Sequence, residues 1–308
     1  MSLNAYWAYG LCIHTEIVCP ELPLHLQPSG DPDVTILLLP PVPSVSESLE
    51  NGYYEVQLGA FRMAVSGVAQ YLVEEGNRIS VQPRAGAAAE EIRLFLLGSA
   101  MGALLYQRGL FPLHGSAVET QWGAMIFVGA QGAGKSTMAA EFHRKGYRLL
   151  SDDVCAVAGG AEGLRVLPAL AAQFRLCADA YERLGAPQGA CFDVDKFVVP
   201  MGERYCSEPV PLRAIHILAD HANDTPKFEV LRGFDRVQRL LENLYRPHYL
   251  KGQRMQSDVM RIAGLIAQKT TMVAVTRRRD PEAIEGLVGF LESEWAERFE
   301  TDSSKEKN

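Results

Sequence analysis

The sequence predicts an α/β protein in which buried strands and helices alternate behind a smaller, β-rich N-terminal domain. Residues 1–86 hold short apolar runs broken by Gly and Asn turns. The spacing turns helical near residue 87, and beyond residue 120 apolar strands alternate with amphipathic helices. The expected division is 1–86 for the β-rich domain, 87–300 for the α/β domain, and 301–308 for a flexible polar tail.

In the first part, Thr35-Ile36-Leu37-Leu38-Leu39 is a short run stopped by Pro40-Pro41, as in a strand. Residues 53–58 and 61–65 alternate around Gly59, and residues 71–73 and 79–81 flank Glu75-Gly76-Asn77, which predicts hairpins of an antiparallel sheet. Ala87 to Gln107 reads as one long helix stopped by Gly109 and Pro112. Then come a strand at 124–128, a glycine loop, a helix at 135–145, and two short strands at 147–150 and 154–158. Strands at 214–218, 228–231 and 272–275 and helices at 235–245, 257–268 and 281–298 complete the pattern, with Pro281 after Asp280 as the last helix start.

Composition excludes several classes of function. Asp and Glu number 37 against 30 Lys and Arg, a net charge of -7, and there is no basic block, so neither nucleic acid nor anionic lipid is an expected partner. The six cysteines are scattered with no C-x-x-C pair, which suggests reduced thiols in the cytoplasm. Met1 to Tyr6 lacks the basic start of a signal peptide, and the longest apolar stretch, 94–106, is well short of the ~20 residues that cross a bilayer. Cys12, His14 and Cys19 lack the spacing of a zinc site.

The most informative stretch is Gly129-Ala130-Gln131-Gly132-Ala133-Gly134-Lys135-Ser136-Thr137, which fits G-x-x-x-x-G-K-[ST]. Its glycines let backbone N–H groups converge into an anion cradle at a helix N-terminus. Lys135 can then reach the β and γ phosphates of ATP, and the Ser136 hydroxyl can ligate Mg2+. About 17 residues beyond Lys135, an apolar run ends in Ser151-Asp152-Asp153-Val154. Two adjacent carboxylates offer two tasks, one holding Mg2+ and the other taking a proton from an attacking hydroxyl.

With Leu113-His114-Gly115 before the loop and Lys145 to Val154 after it, residues 108–158 resemble the catalytic domain of HPr kinase/phosphorylase. The resemblance implies that Lys135 binds phosphate, that Ser136 and Asp153 sit at Mg2+, that Asp152 is the base, and that His114 assists near the transferred phosphate. Which aspartate takes which task stays open. Gln131 and Thr137 stand where that family has Ser and Glu, and its E-x-R-G-L-G-like signature has no counterpart; Gln173-Phe174-Arg175-Leu176 lies roughly in its place. The chain is more similar to shorter HPr-kinase-like proteins of peptide-modification clusters, some of which phosphorylate the terminal serine of a lasso-peptide precursor. The implied activity is an ATP- and Mg2+-dependent serine kinase acting on a peptide or protein, with homo-oligomerisation left open. A small-molecule kinase and a nucleotide-gated binding module are the alternatives. Lys196 is a candidate for a later cation at the γ-phosphate, with Asp195 and Arg204 nearby, and Arg277-Arg278-Arg279 reads as a solvated turn.

Overall fold

Alternating apolar residues in the first ninety positions build a seven-stranded sheet. In the computed structural model the described residues are 3–26, 30–40, 54–57, 59–160, 163–169, 173–177, 191–193, 196–200, 204–220, 226–250, 253–277 and 283–305. The strands are β1 Asn4–Ala8, β2 Leu11–Thr15, β3 Val34–Leu38, β4 Tyr54–Gln57, β5 Ala60–Val65, β6 Ala69–Glu74 and β7 Arg78–Pro83. Their order is β1-β2-β3-β7-β6-β5-β4. The β4/β5 and β6/β7 hairpins form where the turn residues predict them. The sheet is mixed and not purely antiparallel, because β3 enters it parallel to both β2 and β7. A short apolar run carries no mark of its direction, and the connection over 16–33 is long enough for a crossover.

The predicted helix over 87–107 is helical from Ala89 but not uniform. It comprises α1 Ala89–Phe95, a π-helical turn Leu96–Ala100, and α2 Met101–Gln107. Every residue of α2 from Met101 to Tyr106 is buried, because both sides of this helix are covered. One continuous apolar cluster runs from Ile36, Tyr71 and Val81 of the first sheet through Leu97 and Leu104 to Ile126 and Val157 of the second.

The second sheet contains β8 Phe111–Thr120, β9 Gly123–Gly129, β10 Arg148–Gly160, β11 Gly163–Leu167, β15 Val210–Asp220, β16 Lys227–Val230 and β17 Thr271–Arg277. Its order is β11-β10-β8-β9-β15-β17-β16, with β9, β15 and β17 parallel. The remaining strands, β12 Gln173–Cys177, β13 Cys191–Asp193 and β14 Lys196–Pro200, make a separate small sheet. Helices α3 Lys135–Arg144 and α6 Ala283–Lys305 cover one face, where Phe127, Phe142 and Trp295 meet. Helices α4 Phe234–Glu242 and α5 Gln253–Lys269 lie with the other cluster, in which Ile262 and Ile266 are buried. Among the described residues no helix is long and apolar enough to cross a membrane.

Three further readings change. β8 was not expected, and it carries His114. Pro112, His114, Gly115 and Ser116 break the apolar pattern that marks a strand. Residues 148–160 form one strand, not two, because β8 pairs with it from Arg148 to Val157 across a bulge between Leu149 and Ser151. The last helix runs to Lys305, past the end expected at residue 298, with Trp295 and Phe299 buried on it. The start proposed at Asp280 and Pro281 lies outside the described residues.

Candidate active site

The glycine loop leaves the central strand and enters a helix. β9 is buried over Ala124 to Val128 and ends at Gly129, and α3 begins at Lys135 with Gly134 as its N-cap. Gly129, Gly132 and Gly134 have φ of 149°, 80° and 88°, a region that side chains disfavour. Space enforces the choice as well. A Cβ on Gly129 would lie 2.4 Å from the Leu218 carbonyl oxygen, and one on Gly134 would lie 2.6 Å from Arg277 Nη2. No side chain caps α3, so its first amides remain oriented for an anion. Ala130, Gln131 and Gly132 are exposed, Ser136 is half-buried, and Ala133 and Thr137 are buried.

Lys135 is buried, and its Nζ donates to the carbonyl oxygens of Gly129 at 2.9 Å and Ala130 at 3.1 Å. The ammonium is thus held within the loop. Arg277 also supports the loop, donating from Nη2 to the Ala133 carbonyl at 3.0 Å. It is 4% exposed, which corrects the solvated-turn reading at this position. The room left by Gly134 admits the guanidinium, and Arg278 and Arg279 lie outside the described residues.

The acidic pair reaches the loop through sheet register. Asp152 pairs with Ser116 and Asp153 with Gly115 on β8, and Gly115 pairs with Val128, the residue before Gly129. Adjacent strands lie about 4.8 Å apart, so the pair stands roughly 10 Å, two strands, from the loop's origin. Gly115 keeps these strands close, since a Cβ there would lie 2.5 Å from the Phe127 carbonyl oxygen. Ser116 Oγ donates to Asp152 Oδ1 at 2.6 Å. His114 Nδ1 lies 3.3 Å from Asp153 Oδ1 and 3.1 Å from its backbone oxygen. Asp153 has φ of 81°, uncommon for a residue with a side chain, two positions past the bulge. The buried Cys155 thiol is pushed up by desolvation; Ser151 opposes through a hydrogen bond, Asp152 and Asp153 add to the rise, and Lys135 opposes it. One sulfur therefore feels the cation and both carboxylates.

Where β9 departs into the loop, the start of β8 takes another partner. The His114 N–H donates to the Asn243 oxygen at 2.8 Å, and the Tyr245 N–H donates to the Pro112 oxygen at 2.9 Å. A cleft of about 490 Å³ opens here, lined by His114, Gly129, Gln131, Leu218, Asn243 and Leu244 among others. That volume suits a small-molecule site.

The structure thus brings together His114, the loop and the acidic pair, and adds Ser116, Asn243, Tyr245 and Arg277. Ser116 follows the His-Gly motif directly, so the motif itself pointed toward it. Arg277 lies in the charge run already noted, whereas Asn243 and Tyr245 come from a distant segment and carry no local signal. Arg204 is exposed, and its carbonyl accepts from the Leu149 N–H at 3.3 Å. Lys196 opens β14, but its side chain, those of Gln173 to Leu176, and Asp195 lie outside the described residues.

No protein-family model matches the sequence, and no curated protein matches it. Among solved structures the chain is similar to the HPr(Ser) kinase/phosphatase from Coxiella burnetii, with 11% identity over 64% of this chain and 98% of that one, at a TM-score of 0.34. A likeness of that size carries no argument about activity.

Proposed function

We propose that this chain is an ATP-dependent serine kinase of the HPr-kinase-like type, acting on a hydroxyl of a peptide or protein. The terminal serine of a lasso-peptide precursor is the specific candidate. One observation carries the reading: the strand that leads into a glycine loop with a buried lysine is in register, across β8, with two adjacent aspartates. Phosphoryl transfer needs mainly positioning and charge neutralisation, and these groups supply both.

Backbone N–H groups over 130–136 would hold the β and γ phosphates, with Lys135 exchanging its carbonyl contacts for phosphate oxygens. Asp152 would accept the proton of the attacking hydroxyl, oriented by the Ser116 hydrogen bond. The acceptor oxygen bonds to the γ phosphorus, the bond from that phosphorus to the bridging oxygen breaks, and ADP departs with the electron pair. Ser136 and Asp153 offer the hard oxygen donors that Mg2+ prefers, and that ion would neutralise phosphate charge. His114 would steady the Asp153 carboxylate.

The test combines the full chain with ATP, Mg2+ and a synthetic precursor peptide encoded beside its gene, read by mass spectrometry. One added phosphoryl group on a serine is expected, with none on free serine. Asp152→Asn should keep nucleotide binding and lower the transfer rate by roughly 10²- to 10⁴-fold. Transfer to free serine alone would favour a small-molecule kinase. ATP binding with no transfer to any acceptor would favour the binding module, and an undiminished Asp152→Asn rate would remove Asp152 as the base.

A further inference from the structure

The segment after α4 ends in a residue whose conformation is tightly imposed. Tyr245 is fixed through its backbone on two sides: its N–H donates to Pro112, and its carbonyl accepts the Tyr106 hydroxyl at 2.7 Å. Its ring sits in a notch of the helical wall. A Cβ on Gly102 would lie 2.8 Å from Tyr245 Cε1, and one on Gly98 would lie 3.5 Å from its hydroxyl. These two glycines flank the passage from the π-helical turn to α2, so the local change of helix type shapes the seat.

Arg246 follows with φ of 47°, left-handed and uncommon for a residue with a long side chain. Its Nε donates to the Tyr245 hydroxyl at 3.2 Å, and its Cζ lies 5.5 Å and 5.9 Å from the ring centres of Tyr245 and Tyr249. The residue is nevertheless exposed, so a cation is presented on a fixed mount. Its neighbour Tyr245 borders the acidic pair: the Tyr245 and His114 ring centres are 6.2 Å apart, His114 touches Asp153, and the Arg246 charge itself interacts with that of Asp153. Burial raises the Tyr245 pKa, with Asp153 adding to the rise and Arg246 opposing it, so Tyr245 feels both charges.

An arginine that served packing alone would not need an exposed head, a strained backbone and two aromatic faces to fix its direction. From this arrangement we infer that Arg246 is the cation that meets the phosphoryl group in transit. Its guanidinium pairs with the non-bridging oxygens while the acceptor oxygen bonds to phosphorus, the bond to the ADP oxygen breaks, and the hydroxyl proton passes to Asp152. This role rests on the kinase reading above and belongs to Arg246, from a segment the sequence did not single out.

The test measures binding of MgADP with and without aluminium fluoride, which with ADP mimics the phosphoryl group in flight. The full-length chain is compared with Arg246→Asn, since Asn tolerates the left-handed backbone, and with Arg246→Lys. The wild type should bind MgADP, more tightly with the fluoride. Arg246→Asn should bind MgADP alone as the wild type does and bind the fluoride complex roughly 10²- to 10³-fold more weakly; Arg246→Lys should fall between. Full fluoride enhancement in Arg246→Asn, or equal loss of MgADP itself, overturns the assignment, as does a wild type that binds MgADP without enhancement. If Arg246→Asn fails to fold, Arg246→Lys decides by the same comparison. A wild type that does not take up MgADP removes the kinase reading itself, and the role of Arg246 with it.

Discussion

His216 shows how strongly a single buried side chain can set the protein's response to acid. It sits in β15 between Phe127 and Trp295, and the indole Nε1–H donates to its Nε2 at 3.0 Å. Desolvation holds its pKa at about 3, below the usual 6.5. The unfolded chain therefore binds a proton that the folded one refuses between those values. Its contribution is complete above pH 6.5 and shrinks as the pH falls toward 3. Stability at pH 5 should be lower than at pH 8 by about 2 kcal/mol from this group. Urea unfolding of wild type and His216→Gln at both pH values checks this. The variant keeps an acceptor for Trp295 and should lack that part of the slope; equal slopes would refute it. The same residue marks a limit of sequence reading, because an isolated histidine in an apolar run carries no sign of the tryptophan 79 positions away that meets it.

At the scale of the element, β10 joins architecture to chemistry. It keeps pairing through the positive-φ Asp153 while its two neighbouring carboxylates meet different partners, Ser116 and His114. Asp153→Gly removes the carboxylate and suits the backbone, whereas Asp153→Ala removes it and retains the strain. The alanine variant should be less stable than the glycine variant by about 1 kcal/mol, with transfer depressed in both. Thermal melts give the first and the phosphorylation assay the second; an alanine variant as stable as the glycine one would show that the conformation is unstrained. The loop and the acidic pair were legible because each is a contiguous motif with its chemistry on display. The strand that joins them was not, since Pro112 and the polar run after Leu113 hide β8. The seat of Tyr245 was not either: Tyr106 and Tyr245 are 139 positions apart, and their contact depends on packing that no local spacing encodes.

At the scale of the whole molecule, the helical wall formed by α1, the π-helical turn and α2 shares its core with both sheets and borders the site through Gly98 and Gly102. The sequence indicated the helix and the change of pattern near residue 87, but not that apolar packing runs continuously across it. Direction within the first sheet was likewise hidden, since a strand's apolar content is the same whichever way it runs. The proposed kinase needs an anion cradle ahead of residue 135, where the buried Lys135 ammonium is held. Calorimetric titration of the full chain with ATP and Mg2+, beside Lys135→Ala, tests that cradle most directly. Saturable one-site binding by the wild type, weakened at least ~10²-fold in the variant, is the expected result. No ATP-dependent heat from the wild type across temperatures, or an affinity unchanged in Lys135→Ala, would contradict it.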